Sequence, residues 1–351
     1  MLVAAVAVQT APRWVPASVD AVRDLPGVGF GRMHAVEQRV LTWADALQGV
    51  DESAAGRVVR PPPDSTRALW PPAPLVVRLP PEPSLPEEGR WRPVASCAVG
   101  PALVSLQTTS LRVDPTRPDV PTELVALDLR AVELRLVVGT DDGGPGAPLS
   151  ESGPVLAAFN GGFQRAHGSY GLAEGGHIFV PAQPGAATVG WTPDGDVWMG
   201  AWPPPDDFGP LEGFRQNLQL LQQAEAVTPE LLVVDADGPH PIGHSPTRRS
   251  GVCLRRPFTL YYVWTHRGTA AALGDAMVAA GCDVGMHLDL NAYNTGFEVL
   301  DPAAAPPCSR KLTRRMADTS PGRYLARQAR DYFVVVARSP DRARPSAAGP
   351  P

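Results

Sequence analysis

Lysine and cysteine are both scarce in this chain, and each shortage narrows what it can be. Lys311 is the one lysine among 351 residues, so the basic side chains are otherwise arginines. An arginine here therefore carries no special weight as a phosphate ligand merely for being arginine. The formal charge is −5, which excludes the basic footprint of a nucleic-acid binder. The four cysteines, Cys97, Cys253, Cys282 and Cys308, show no Cys-x-x-Cys spacing, which argues against a zinc site. They permit three pairings, and for Cys253, in an apolar run, a buried thiol and a disulfide stand level. No His-Glu-x-x-His or comparable spacing occurs, so neither a metal nor another cofactor is expected. No segment resembles a membrane span. The opening "MLVAAVAVQTAPRW" lacks a basic stretch before its short apolar run; it reads as the stump of an export signal or as a disordered start. No repeat of fixed short period is present.

Proline, by contrast, is abundant, at 41 residues, clustered between 61 and 93 and again in the tail. Proline fixes φ and lacks a donor, so the first cluster reads as an extended linker or strap. Residues 33–48 ahead of it place Val36, Val40, Trp43 and Leu47 on one helical face. Residues 1–90 are therefore assigned to an accessory region of helix and Pro-rich linker, 91–338 to the main domain, and 339–351 to a disordered tail.

Within 91–338 strand patterns dominate. Residues 154–163, "PVLAAFNGGF", form an apolar strand running into a Gly-Gly turn. "ATVGWTPDGDVWMGAW" is a hairpin around Pro-Asp-Gly. "SGVCL" and "FTLYYVWTH" form another around "RRP". Two segments read as helices. One is 212–227, "EGFRQNLQLLQQAEAV", with Phe214, Leu218 and Leu221 inward. The other is 269–281, with Thr269 as N-cap and Gly281 as stop. The fold class predicted is α+β: mixed β-sheets with helices packed on them, plus the Pro-rich accessory region.

Three segments carry polar groups that plain scaffold does not need. In 157–171 a buried strand delivers Asn160, then Gly161 and Gly162, whose backbone can approach a ligand closely; His167 and Tyr170 follow. Arg249 opens an apolar strand and can present its fork to an anionic oxygen pair. In 281–300 Val284, Met286, Leu288 and Leu290 alternate with Gly285, His287, Asp289 and Asn291, which predicts a strand with those last three polar side chains along one face.

The order of these pieces resembles the phosphodiester glycosidase family. Its usual signs are Asn-Gly-Gly-Phe after a buried strand, an Arg-Thr-Ala-Ile-Gly-like strand opening, and a helix followed by Leu-Asp-Gly-Gly-Gly-Ser. Here Asn160-Gly161-Gly162-Phe163 matches the first, Arg249-Ser250-Gly251-Val252 the second loosely, and Leu288-Asp289 the start of the third. After Asp289 the glycine run is replaced by Leu290-Asn291-Ala292-Tyr293-Asn294, whose side chains fill space that glycines leave open.

The resemblance implies a hydrolase of a sugar-1-phosphodiester or related glycosidic linkage, acting on cell-envelope or extracellular glycans after export. Arg249 would neutralise a phosphate oxygen. Asp289 would stabilise an oxocarbenium-like centre or act as base towards water. Asn160, Gly161 and Gly162 would bind substrate oxygens, with His167, His287 and Asn291 around them. Asp237 and Glu298 are candidates for a second carboxyl group. Two other readings are a non-catalytic polysaccharide-binding module and a metal-dependent hydrolase using His287, Asp289 and Asp235 or Asp237. The partner expected is a carbohydrate or sugar phosphate, with no nucleic acid and no membrane-spanning segment.

Overall fold

In this computed structural model the described residues are 69–75, 85, 87–97, 100–147, 154–235, 238–291, 293–316 and 321–338. The helix predicted at 33–48 and the tail from 339 lie outside them. In chain order the elements are β1 (Arg92–Val94), β2 (Leu103–Leu111), β3 (Thr122–Asp128), β4 (Val132–Val137), β5 (Val155–Asn160), β6 (Leu172–Glu174), β7 (His177–Val180), β8 (Ala187–Trp191), β9 (Val197–Ala201) and β10 (Gly213–Gln216). They continue as β11 (Leu220–Gln223), β12 (Ala226–Val227), β13 (Leu232–Asp235), β14 (Gly238–Pro241), β15 (Thr247–Arg255), β16 (Thr259–Gly268), α1 (Ala270–Ala279), β17 (Val284–His287), β18 (Phe297–Asp301), β19 (Cys308–Lys311) and β20 (Tyr332–Ala337).

The predicted α+β class is corrected to a mainly β architecture: α1 is the one α-helix among the described residues, and the other elements are strands and short 3-10 turns. The eight-stranded sheet runs β1-β2-β3-β16-β15-β17-β11-β12; two five-stranded sheets run β7-β6-β10-β8-β9 and β19-β18-β5-β20-β4; β13 and β14 pair alone. Strand β16, "TLYYVWTHRG", is rich in aromatic and β-branched residues and buried on both faces for most of its length. Such a composition suits a central strand, and β16 lies between β3 and β15.

The predicted helix at 212–227 is instead β10, β11 and β12, and the reason is physical. A helix would put Arg215, Gln216 and Asn217 towards water. Here all three are buried and hydrogen-bonded, at 2%, 0% and 0% exposure, and β10 takes its register from β6 and β8. Leu218 and Ala224 adopt φ of 53° and 48°, which break helical propagation. Tertiary pairing overrides a helix-period pattern that depended on polar residues being solvated. α1 itself opens on Thr269, whose side chain accepts from the Ala272 N–H, and Gly281 follows with a φ of 73°.

One apolar core lies between the sheets. Val125, Tyr262, Trp264 and Met286 enter it from the eight-stranded sheet, and Phe159, Phe297 and Phe333 from the sheet of β5. Phe159 lies 5.0 Å from Tyr262, 5.1 Å from Phe333 and 5.8 Å from Phe297, centroid to centroid. Burying each ring is worth about 1.5–3 kcal/mol, so this stack pins the C-terminal end of β5 where the Asn-Gly-Gly turn begins. The opposite face of the large sheet is covered by α1: a Cβ on Gly285 would meet Met277 Sδ at 2.4 Å.

Both cysteine pairs are disulfides, Cys97–Cys308 and Cys253–Cys282. The first joins the chain after β1 to β19, so it links two different sheets across 211 residues of sequence. Two disulfides are compatible with an extracellular or periplasmic location. No helix among the described residues is long and apolar enough to cross a membrane.

Candidate active site

Asn160 ends β5 and is fully engaged by protein. Its Nδ2 donates to Ser250 Oγ at 2.8 Å and to the Gly161 carbonyl at 2.9 Å. Its Oδ1 accepts from Tyr262 Oη at 3.0 Å and from the Gly296 N–H at 3.1 Å. An amide has two donor hydrogens and two acceptor lone pairs, so none is left for a substrate oxygen. Asn160 is a clamp between sheets. Ser250 Oγ carries the connection onward, accepting from the Asp289 N–H at 3.3 Å, while the Ser250 N–H donates to the Asp289 carbonyl at 2.9 Å.

The predicted strand through Asn291 is shorter than its pattern: β17 stops at His287, and both its faces are buried. Asp289 lies on the loop beyond. Its Oδ1 accepts from the Leu290 N–H at 2.7 Å, and its Oδ2 is 2.9 Å from Arg330 Nη2. That same Nη2 donates to the Gly162 carbonyl at 3.2 Å. Arg330 immediately precedes β20, the strand paired with β5, so sheet order brings its guanidinium to the Asn-Gly-Gly turn. Its Nε and Nη1 make no hydrogen bond among the described residues. The Asp289 side chain is 4% exposed and sits behind Arg330, which is 17% exposed.

The other predicted residues are dispersed around this centre. Arg249 is fully buried; it donates to the carbonyls of Ile242, Ser245 and Gly268, and Nη1 lies 3.3 Å from His287 Nε2. His287 faces α1, its ring 5.9 Å from Phe163. Burial, then the Arg249 charge, holds its pKa well below the usual imidazole value, so it is neutral at pH 7. His167, half-buried on a 3-10 turn, packs edge-on to Phe163 at 6.2 Å. Asn291 caps its own turn, Oδ1 accepting from the Asn294 N–H at 2.6 Å. Glu298 is buried 2.7 Å from Lys311 and accepts from Ser309 and the Gly322 N–H. Asp237 lies outside the described residues. Among the described residues no three His, Cys, Asp or Glu side chains gather to hold a metal ion.

Gly161 is needed for close packing. A Cβ on Gly161 would lie 1.8 Å from Asp331 Oδ2. Asp331 is held by Arg215, with Nε 2.8 Å from Oδ2 and Nη2 3.2 Å from Oδ1; Arg215 also donates to the Phe163 and Gln216 carbonyls. Burial alone would lower the Arg215 pKa, but Asp331 more than offsets it and the net shift is upward. Asn217 completes the frame, accepting from the Phe163 N–H at 3.0 Å and donating to the carbonyls of His287 and Leu288 at 2.9 and 2.7 Å. Sequence reasoning missed Arg215, Asn217, Arg330 and Asp331. The signal for the last two was an Arg-Asp pair set directly before an apolar strand.

Beside this frame opens a cavity of about 260 Å³, lined by Asp141, Asp142, Gln164, Arg165, Arg330 and Asp331. Its size is near the low end of small-molecule sites. The side chains of Asp141, Asp142, Gln164 and Arg165 make no hydrogen bond or ion pair with the described residues. Burial, then the neighbouring Asp331 charge, pushes the Asp142 carboxyl above its ordinary pKa; Asp141 adds to this, and Arg215 and Arg165 oppose it. The cavity therefore offers cationic and carboxylic groups side by side.

Fold and site together define a mainly antiparallel β protein with a polar cavity at the Asn-Gly-Gly corner. No family model and no curated protein matches the sequence. Among solved structures the chain is similar to the catalytic domain of zebrafish N-acetylglucosamine-1-phosphodiester alpha-N-acetylglucosaminidase, auto-inhibited by its pro-peptide, with 12% identity, 71% of this chain and 88% of that chain covered, and a TM-score of 0.42. It is also similar to a hypothetical protein from Synechocystis (11% identity, 66% and 62% covered, TM-score 0.37). A putative exported protein from Burkholderia pseudomallei is alike at 9% identity, 62% and 74% covered and TM-score 0.37. These are distant likenesses.

Proposed function

We propose that the cavity is the active site of a glycosidase-like hydrolase that cleaves a sugar-1-phosphodiester. The observation that carries this reading is Arg330. One nitrogen of its guanidinium is fixed by Asp289 and the Gly162 carbonyl, the other two make no hydrogen bond among the described residues, and the side chain lines the cavity. An arginine held that way keeps its charge and the donor hydrogens on Nε and Nη1 at a set angle, which suits contact with a phosphate oxygen. Arg165 at the rim adds a second positive charge.

The roles suggested by sequence shift accordingly. Arg330 takes the phosphate-binding part expected of Arg249. Asp289, buried behind it, is a positioning residue for Arg330. In the reaction, water adds to the anomeric carbon and the bond from that carbon to the phosphate oxygen breaks, its electron pair leaving with the phosphate. Arg330 stabilises the charge that grows on that oxygen.

The test is incubation of wild type and Arg330→Gln with a panel of UDP-sugars and methyl sugar-1-phosphates, with free sugar measured. Release by wild type, reduced about 10²–10³-fold in kcat/KM by the substitution, is the outcome anticipated. No sugar released from any member of the panel sinks the reading.

A further inference from the structure

A phosphate-gripping arginine alone does not finish the reaction. The leaving oxygen departs more readily if it receives a proton as the bond breaks, and a glycosidase normally supplies one from a carboxylic acid. The site has three carboxyl groups on the cavity wall and one behind it. Asp289 is behind, its Oδ2 taken by Arg330. Asp331 is on the wall, but both its oxygens are bonded to Arg215. That leaves Asp141 and Asp142, consecutive on a 3-10 turn at Thr140–Asp142.

These two differ in setting. Asp141 is exposed, whereas Asp142 is half-buried, and both line the cavity with Asp331 and Arg330. The turn is rigidly placed. The Thr140 and Asp141 N–H groups donate to the carbonyls of Gln328 and Ala329, two residues that lead directly into Arg330. Gly139 is pressed against the same segment: a Cβ there would lie 2.1 Å from the Ala329 carbonyl oxygen. The backbone segments that lead to Asp142 and to Arg330 are thus bonded to one another, and both side chains line one cavity.

We propose that Asp142 is the proton donor of this site, delivering its carboxyl proton to the phosphate oxygen as the bond to the anomeric carbon breaks. The proposal rests on the cavity being the active site of a sugar-phosphodiester hydrolase. The step balances. Asp142 becomes a carboxylate, the phosphate leaves as its protonated monoester, and the attacking water gives its oxygen to the sugar and one proton to solvent, from which Asp142 is re-protonated. The charged groups around Asp142 act in two directions. Asp141 on its own turn and Asp331 at the start of β20 favour the protonated acid; Arg215 from β10 and Arg165 from the 165–167 turn oppose it, and burial tips the balance towards the acid.

The experiment compares two substrates of the same sugar: the methyl sugar-1-phosphate, which gains from a proton, and the 2,4-dinitrophenyl glycoside, whose phenolate leaves without one. Asp142→Asn should change the ratio of their kcat values at least 100-fold against the phosphodiester. It should also abolish the basic limb of the kcat–pH profile for the phosphodiester. An equal loss on both substrates, with wild type active, overturns the role of Asp142 and leaves the site's function standing. Wild type releasing sugar from neither overturns both. A second measurement does not need turnover: carbon-13 NMR of aspartate carboxyls, with the Asp142 signal assigned by its absence in Asp142→Asn. A midpoint above the ordinary aspartate range supports the donor role, and a midpoint below about 4 removes it.

Discussion

Arg330 and Asp289, 41 positions apart in sequence, meet at 2.9 Å, and the acid is the more deeply buried of the two. That order matters. A carboxylate behind an arginine serves the arginine; a carboxylate in front of it would serve the substrate. The two arrangements differ in how their substitutions combine. If Asp289 acts through Arg330, then Asp289→Asn lowers kcat/KM about 10–100-fold in the wild-type background and adds little to Arg330→Gln. Additive losses in the double variant would show Asp289 acting directly on the sugar. The split between KM and kcat is a second check, since a misplaced phosphate clamp raises KM as well as lowering kcat.

Asn160 has its four hydrogen-bonding positions filled within the protein, so its replacement is a matter of stability first. Asn160→Ala strips partners from Tyr262 Oη, Ser250 Oγ and the Gly296 N–H, all in the buried seam between two sheets. Each buried polar group left unpaired costs roughly 1–3 kcal/mol, and a total of about 3 kcal/mol is anticipated after partial relaxation. Urea unfolding measures it. A midpoint unchanged from wild type would mean the clamp is not holding the sheets together.

Gly161 and Gly162 are adjacent, yet alanine should be far worse at the first. At Gly161 the new methyl group falls 1.8 Å from Asp331 Oδ2, and Asp331 cannot move without leaving Arg215 as a buried, unpaired charge. Breaking such a pair costs about 3–5 kcal/mol. At Gly162 the nearest atoms are Asn217 Oδ1 at 3.0 Å and Arg215 Cζ at 3.1 Å, so a shift of a few tenths of an ångström suffices. Thermal unfolding of the two variants side by side should rank Gly161→Ala clearly lower. The reverse ranking would mean that the Asp331–Arg215 pair is not rigid.

The parts of the fold that could be read in sequence are those whose signal is local. The Asn-Gly-Gly turn at the end of β5, the β8–β9 and β15–β16 hairpins, and the Thr269 cap and Gly281 stop of α1 all follow from residues a few positions apart. The stretch 212–227 went astray because its polar residues are buried. Arg215 and Asn217 look like the solvated face of a helix until the carbonyls and the carboxylate they bind, up to 116 residues away, are known. The site was hidden for a related reason. Arg330 stands among many arginines, and its pairing with Asp289 depends on β20 lying beside β5. Asp142, in a Gly-rich turn, acquires chemical interest only from the cavity it borders.

Glu174 supplies a test of the fold in its pH dependence. It sits at the end of β6, and a Cβ on Gly213 would meet both its Oε2 and the indole of Trp191. Burial, then the charge of Glu212, raises its pKa to about 8 against the partial relief of Arg135. An unfolded glutamate titrates near 4.5. Since the folded protein holds this proton more tightly, the stabilising contribution is complete below that lower value and drains away as pH rises towards about 8. Glu174→Gln keeps the neutral amide shape and cannot ionise. It should leave Tm nearly unchanged at pH 4.5 and raise it by roughly 2–4 °C relative to wild type at pH 8 and above, with the two melting curves diverging through the interval between. Parallel Tm–pH curves for the two proteins would mean that the carboxyl group reaches water, and with it that the packing of β6 against Trp191 is looser than the geometry requires.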